Sequence, residues 1–256
     1  MSMVMNYLQK IDLFLNSYLN VNNTPDYSAA HNGVQLQNDG KVASVISAVD
    51  ASEAVIQKAI EAGAELLIVH HGMFWHGVQM LTDAFYRKVK LAMDHNLAIY
   101  SSHLPLDVHP ESGNNILLAQ AIGLDATVPF GDYKGIPVGV RQESNRSFLE
   151  IVETCKCVLG GGVHYCAGGE VEAGMVGVVT GGAGSEVKAM AEAGIDTFIT
   201  GEGPHWSFSL AEELGINVIY GGHYATEVFG VEYIAGVVSE KFGIQNFGFI
   251  DHPSGL

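Results

Sequence analysis

Residues 62–72 read AGAELLIVHHG, and residues 193–203, 131 positions later, read AGIDTFITGEG. Each is a small-residue turn, a short apolar run and a polar tip closed by Gly72 or Gly203. The flanks agree as well, since Glu61 and Trp75 fall on Glu192 and Trp206. A second pair follows in the same order at an offset of 120: IYSSH (99–103) matches IYGGH (219–223). It sets His103 on His223 and Asp107 on Glu227, and the second copy has the shorter connection between Trp206 and Ile219. Two blocks in one order point to an internal duplication. The alternative is that two βαβ units converged on similar turn chemistry.

Outward from these blocks, β and α patterns alternate. Val45 to Val49 is an apolar run ending at Asp50, and Ser52 is placed to cap a helix running to Ala62. Leu66 to Val69 reads as a strand, Asp83 to His95 as a helix and Leu97 to Tyr100 as another strand. Leu8, Ile11, Leu15 and Leu19 share one face of an N-terminal amphipathic helix. This alternation predicts an α/β fold of two similar halves, each with a largely parallel sheet. Pro129 to Gly131, GGGVH (160–164) and AGG (167–169) mark a boundary and loops. GGAGSE (181–186) follows a strand and opens a helix, where backbone amides could cradle an anion, yet it lacks the phosphate-loop pattern.

Composition narrows the function. The chain has 256 residues, 48% of them apolar and 16% charged, which suits a packed core and excludes a disordered polymer. A net charge of −16 repels phosphate polymers and argues against nucleic-acid binding. No apolar run approaches the ~18 residues of a membrane span, and the N-terminus lacks a small-residue cleavage site. Cys155, Cys157 and Cys166 form neither a disulfide framework nor a zinc pattern. A cytoplasmic location is expected.

Three segments carry metal-type residues. His70 and His71 close an apolar strand, where alternation sends neighbouring side chains to opposite sides, so each can serve one of two metals; the other reading is one core and one surface histidine. His223 and Glu227 are four apart after a Gly pair, which places both on one helix face. SSHLPLDVHPESGNN (101–115) offers His103, Asp107, His109 and Glu111 in a loop after a strand, more than one centre needs. A histidine-to-carboxylate step of four occurs twice at equivalent strand ends. Packing gives no reason for it, whereas a metal satisfies both groups.

NGVQLQ (32–37), VHHGMFW (69–75), SSHLPLDVHPESGNN, TGEGPHW (200–206) and GGHYATE (221–227) together resemble the Nif-three-like proteins, also called GTP cyclohydrolase I type 2 homologues or dinuclear-metal hexameric proteins. The resemblance runs from about Leu8 to the C-terminus, and a minor departure is His31 beside the Asn-Gly of the first motif. It implies two divalent metals per chain held by His70, His71, Asp107, His223 and Glu227, and assembly into a toroidal homohexamer. Such mixed nitrogen and oxygen donors suit zinc, iron, manganese, cobalt or nickel. The ligands come from both copies, so the centre is expected in the cleft between the halves, with Glu202 and His103 facing it as candidates for proton transfer or for support of the ligands. Because Glu227 would share metals with His70 and His71, the chain after it should return to the first half. The expected domains are 1–128 with 224–256, and an inserted 129–223. The activity implied is that of a metal-dependent hydrolase using a metal-bound hydroxide on a small, nucleotide-like substrate. The alternative is a non-catalytic metal-binding regulatory or partner-binding hexamer.

Overall fold

The structure, a computed structural model, describes residues 5–255 apart from His76 and Val78. It contains two compact units. One takes the chain up to Leu106 together with Gly230–His252; the other takes Asp107–Phe229 and the C-terminal residues from Pro253.

The first unit is built on five strands: β1 (Gly33–Leu36), β2 (Ser44–Asp50), β3 (Leu66–His71), β4 (Ala98–Ser101) and β11 (Gln245–Phe249), in the order β1-β4-β3-β2-β11. β11, β2, β3 and β4 run parallel, and β1 is antiparallel to β4. SVISAVD and LLIVHH are nearly continuous buried runs, as strands covered on both faces must be. One face carries α1 (Tyr7–Tyr18), through Leu8, Ile11 and Leu15, and α10 (Val228–Phe242), through Val231, Ile234, Ala235 and Val238. The other carries α2 (Glu53–Glu61) and α3 (Asp83–Asp94), packed on Ile46, Leu67 and Val69. Ser52 caps α2 by accepting from the Val55 amide. α10 and β11 bring the chain from Gly230 to His252 back to this unit.

The second unit carries six strands: β5 (Val128–Phe130), β6 (Gly139–Ser147), β7 (His164–Ala167), β8 (Glu172–Val178), β9 (Thr197–Thr200) and β10 (Asn217–Tyr220), in the order β5-β6-β8-β9-β10-β7. α4 (Leu104–Asp107) leads into this unit. α5 (Asn114–Ala121) and α6 (Phe148–Leu159) cover one face through Leu118, Phe148, Ile151 and Cys155. α7 (Val187–Glu192) and α8 (Trp206–Leu214) cover the other, and the short α9 (His223–Thr226) follows β10. The fold is therefore mixed α/β with two sheets.

Two readings of the sequence need amendment. Only β8, β9 and β10 are mutually parallel here, and β5, β6 and β7 pair antiparallel. β6 reads GVRQESNRS and lies half exposed, so its polar sequence concealed a strand. The units divide at Leu106 and Phe229, not at 128 and 223, because α5 packs on the second sheet through Leu118, Ala119 and Ile122. The strands of segments 62–72 and 193–203 have corresponding neighbours in their sheets. β2, β3 and β4 are parallel neighbours with β1 antiparallel at the edge, and β8, β9 and β10 repeat this with β7. Cys155 and Cys166 are buried, Cys157 is exposed, and all three are free thiols. Burial pushes the Cys155 thiol up to about 12. No helix among the described residues is long and apolar enough to cross a membrane.

Candidate metal centre

In the first unit β3 extends through His70 and His71. Their rings do not diverge to opposite sides, as strand alternation implied; the centroids are 4.7 Å apart. The strand's two neighbours explain this. His70 Nδ1 lies 2.9 Å from the carbonyl of Ser102, just past β4, while His71 Nδ1 lies 2.9 Å from Asp50 Oδ1 at the end of β2. The rings are drawn to opposite neighbours by Nδ1, and a ring nitrogen of each still lies within 4.8 Å of one on the other.

His103 joins them. Its Nδ1 is 2.8 Å from Asp26 Oδ1, and its amide donates to Asn32 Oδ1 at 2.7 Å. Asp26 Oδ2 accepts from the Leu104 amide and from Asn32 Nδ2. Burial opposes the Asp26 charge, but the hydrogen bond and charge of His103, then Asn32 and the Tyr27 amide, hold its carboxyl below the usual carboxylate range. Trp75 stands edge-on to His71 and His103, with centroids 5.6 and 4.7 Å away.

A carbonyl or carboxylate facing Nδ1 selects the tautomer protonated there and leaves the Nε2 lone pair as the donor. His70, His71 and His103 each offer one donor atom, and the three atoms lie within 4.8 Å of one another. Three imidazoles so oriented suit a divalent transition metal.

The second unit supplies carboxylates. Asp107 and Glu227 are 7% and 2% exposed, and an oxygen of each lies within 4.8 Å of the other. Two buried carboxylates at that range repel each other unless a cation or proton intervenes. Asp107 Oδ1 accepts from Asn114 Nδ2 at 2.8 Å and from Thr180 Oγ1 at 3.4 Å, and Asn115 holds both the Asp107 carbonyl and the Thr180 amide. The paired asparagines of the 101–115 motif thus position its aspartate.

His223 opens α9, and the four-residue step brings its Nε2 to 3.2 Å from Glu227 Oε2. Its Nδ1 is 2.8 Å from Glu202 Oε1. Burial resists a charge on His223, but the hydrogen bonds and charges of Glu227 and then Glu202 outweigh it and raise the imidazole to about 9. Glu202, aligned by the repeat with His71, is the orienting partner of an imidazole here, as Asp50 is for His71.

GGAGSE is a packing turn. The Gly181 carbonyl accepts the amides of Gly201 and Glu202, and the Gly184 amide donates to the Glu202 carbonyl. A side chain at Gly181, which has φ +69°, would collide with the Glu227 carboxylate. His109 is also structural: its Nδ1 accepts from the Glu111 and Ser112 amides and closes the turn after Asp107.

The structure therefore gathers His70, His71 and His103 in the first unit, and Asp107, Glu202, His223 and Glu227 in the second. Sequence reasoning missed Asp26, Asp50, Asn32, Thr180 and the role of Asn114 and Asn115. Asp50 had a signal, since it ends a buried strand beside β3; Asp26, in an irregular stretch far from any strand end, had none.

A mixed α/β protein with two sheets, whose His, Asp and Glu groups could hold a metal ion, is the class these observations define. The chain belongs to the Duf34/NIF3 family (NGG1p interacting factor 3), whose profile matches residues 6–252. It is 38% identical over 251 residues to a Deinococcus radiodurans protein named GTP cyclohydrolase 1 type 2 homolog, covering 95% of this chain and 92% of that one. A Pyrococcus abyssi protein of the same name is also 38% identical, with 97% and 99% covered. Among solved structures, TTHA1606 from Thermus thermophilus superposes with a TM-score of 0.85 at 33% identity, covering 96% of this chain and 98% of that one. Reduced HcgD from Methanocaldococcus jannaschii gives 0.84 at 27% identity, with the same coverage.

Proposed function

We propose that this protein is a metal-dependent hydrolase that binds two divalent metal ions per chain through His70, His71, Asp107, His223 and Glu227. The observation that carries the reading is the common orientation of the imidazoles. Each presents Nε2 because Nδ1 is committed: His70 to a carbonyl, His71 to Asp50, His103 to Asp26 and His223 to Glu202. Such outer partners fix ring angle and raise ligand basicity. In this proposal the imidazole-rich cluster and the carboxylate-rich cluster serve one centre, the first supplying neutral donors and the second the charge that offsets the metals.

Bound divalent metals supply Lewis acidity and lower the pKa of coordinated water. The chain's own residues do the rest. Glu202 spends one oxygen on His223 and keeps its side chain 45% exposed, so it is the carboxylate placed to exchange a proton with a ligand. His103, held by Asp26, is the second candidate for that role. The name borne by the relatives, GTP cyclohydrolase 1 type 2 homolog, favours a heterocyclic substrate.

The test is elemental analysis of loaded, desalted protein with activity profiling on phosphoester, nucleotide and amide substrates beside Glu227→Ala. About two metals per chain and turnover lost in the variant are expected; turnover equal to the variant's on every class overturns the hydrolase. The reading includes a cytoplasmic homohexamer, for which exposed Leu13, Met80, Leu81 and Val171 offer apolar surface. Sedimentation showing only a 27.3 kDa species overturns that part.

A further inference from the structure

A cavity of about 760 Å³ lies within the second unit. That volume falls inside the range of small-molecule sites, roughly 300–1,000 Å³. Its wall is formed by the segment after α6, the tips of β9 and β10, the first turns of α8 and α9, and Pro253 and Gly255 near the C-terminus.

The lining has a distinctive chemistry. Phe208, Tyr220 and Tyr224 give it aromatic surface, and the glycines at 160, 162 and 255, each with open space at its Cβ position, leave room for a flat group to approach backbone. Among the described lining residues Glu202 is the one carboxylate, there is no Lys or Arg, and His164 and His205 are the two imidazoles. The first turn of α8 also borders the cavity, but its amides are spent: Ser207 donates to the Pro204 carbonyl and Phe208 to the His205 carbonyl. A phosphate would thus meet no permanent cation, only the imidazoles of His164 and His205, few open amides and a nearby carboxylate, in a chain of net charge −16. An uncharged ring bearing N–H groups would meet aromatic faces and an acceptor, because Glu202 has committed Oε1 to His223.

We infer that this cavity binds an uncharged, planar nitrogen heterocycle with N–H donors, held by Glu202 and the aromatic wall, and that it selects against polyphosphate. The inference rests on the hydrolase reading and names its substrate class. It places the recognised ring beside the carboxylate that orients His223.

Calorimetric titration of guanosine and adenosine, each against its 5′-triphosphate, tests this on metal-loaded and metal-free protein. Two variants close the cavity: Gly162→Phe, whose side chain enters open space at an ordinary φ, and Ser209→Phe from α8. A nucleoside should bind at least fivefold more tightly than its triphosphate. Binding should weaken about tenfold in Glu202→Gln and vanish in whichever closing variant keeps the wild-type melting profile and metal content. A triphosphate binding as tightly as its nucleoside overturns the inference, as does nucleoside binding that survives closure. Two metals per chain with no nucleoside binding overturns the substrate class and leaves the hydrolase standing. Nucleoside binding to a chain that takes up no metal leaves the cavity standing and removes the hydrolase.

Discussion

β3 and β9 hold the same place in their sheets, with parallel neighbours on both sides, yet they end differently. β3 runs on into two histidines whose orienting partners come from neighbouring strand ends. β9 runs into Gly201 and Glu202, where backbone fills the space that an imidazole takes in the first unit. A Cβ on Gly201 would lie 2.7 Å from both the Gly181 carbonyl and His223 Cα. The second unit brings its imidazole from the next strand end instead, and Glu202 steadies it. One scaffold can therefore aim a histidine from a strand tip or from the following helix, provided that an acceptor waits at Nδ1.

The strongest way to break this comparison is to delete one cluster at a time. His70→Ala with His71→Ala, and separately Asp107→Ala with Glu227→Ala, should each reduce metal content from about two per chain to below one. Elemental analysis after desalting checks it. If either double variant retains a full equivalent, the clusters act as independent sites.

The glycines that close the two aligned segments should respond unequally. A Cβ at Gly203 would sit 2.8 Å from Ser207 Oγ and 2.9 Å from Gly184 Cα, so Gly203→Ala should cost about 3 kcal/mol. At Gly72 the obstacle is the end of the Gln35 side chain, which can move, and Gly72→Ala should cost about 1 kcal/mol. Equal losses in urea denaturation would remove the distinction between backbone and side-chain filling.

Asp50→Ala and Glu202→Ala should each lower metal affinity by roughly 10- to 100-fold, since each removes the acceptor at a ligand's Nδ1. Chelator competition reads this directly. A loss in only one variant would mean that only one unit relies on such support.

The smallest effects concern the helices beside the sheets. Ser52→Ala and Ser147→Ala should each cost about 1 kcal/mol. α6 adds a reciprocal bond from the Ser147 amide and hydroxyl to Glu150, which holds that carboxyl below its usual range. A depressed carboxylate contributes stability that is complete above the ordinary glutamate value and lost as pH falls through the lowered one. Acid titration should therefore shrink the penalty of Ser147→Ala and leave that of Ser52→Ala unchanged. A common pH response would deny the capping box its electrostatic part.

Much of this was legible in the chain. Apolar runs of four or five residues marked β2, β3 and β4, and Ser52 marked the start of α2, because buried parallel strands and N-caps have local signatures. The metal-type residues stood out by residue type, and the doubled four-residue step drew attention to His103, Asp107, His223 and Glu227, whereas the choice of five ligands came from the family resemblance. What was hidden depends on long-range pairing. Polar β6 is a strand because β5 and β8 flank it, and Asp26 meets His103 from 77 positions away. The convergence of His70 and His71 was misread because strand alternation describes where side chains leave the backbone, not where their acceptors pull them.

The return of α10 and β11 to the first sheet has a consequence for the nascent chain. Residues 107–229 are contiguous, so the second unit's sheet and its covering helices are all available once about 230 residues have been made. The first unit begins sooner and finishes later. Until α10 emerges, Leu15, Leu66 and Ile68 lack the cover of Val231, Ile234 and Val238, and β2 presents a bare edge where β11 will pair. At synthesis rates of ~5–20 residues per second, that apolar face waits on the order of ten seconds on the ribosome. A stop codon near position 229 would leave it permanently uncovered, and such truncated chains should aggregate through the first unit.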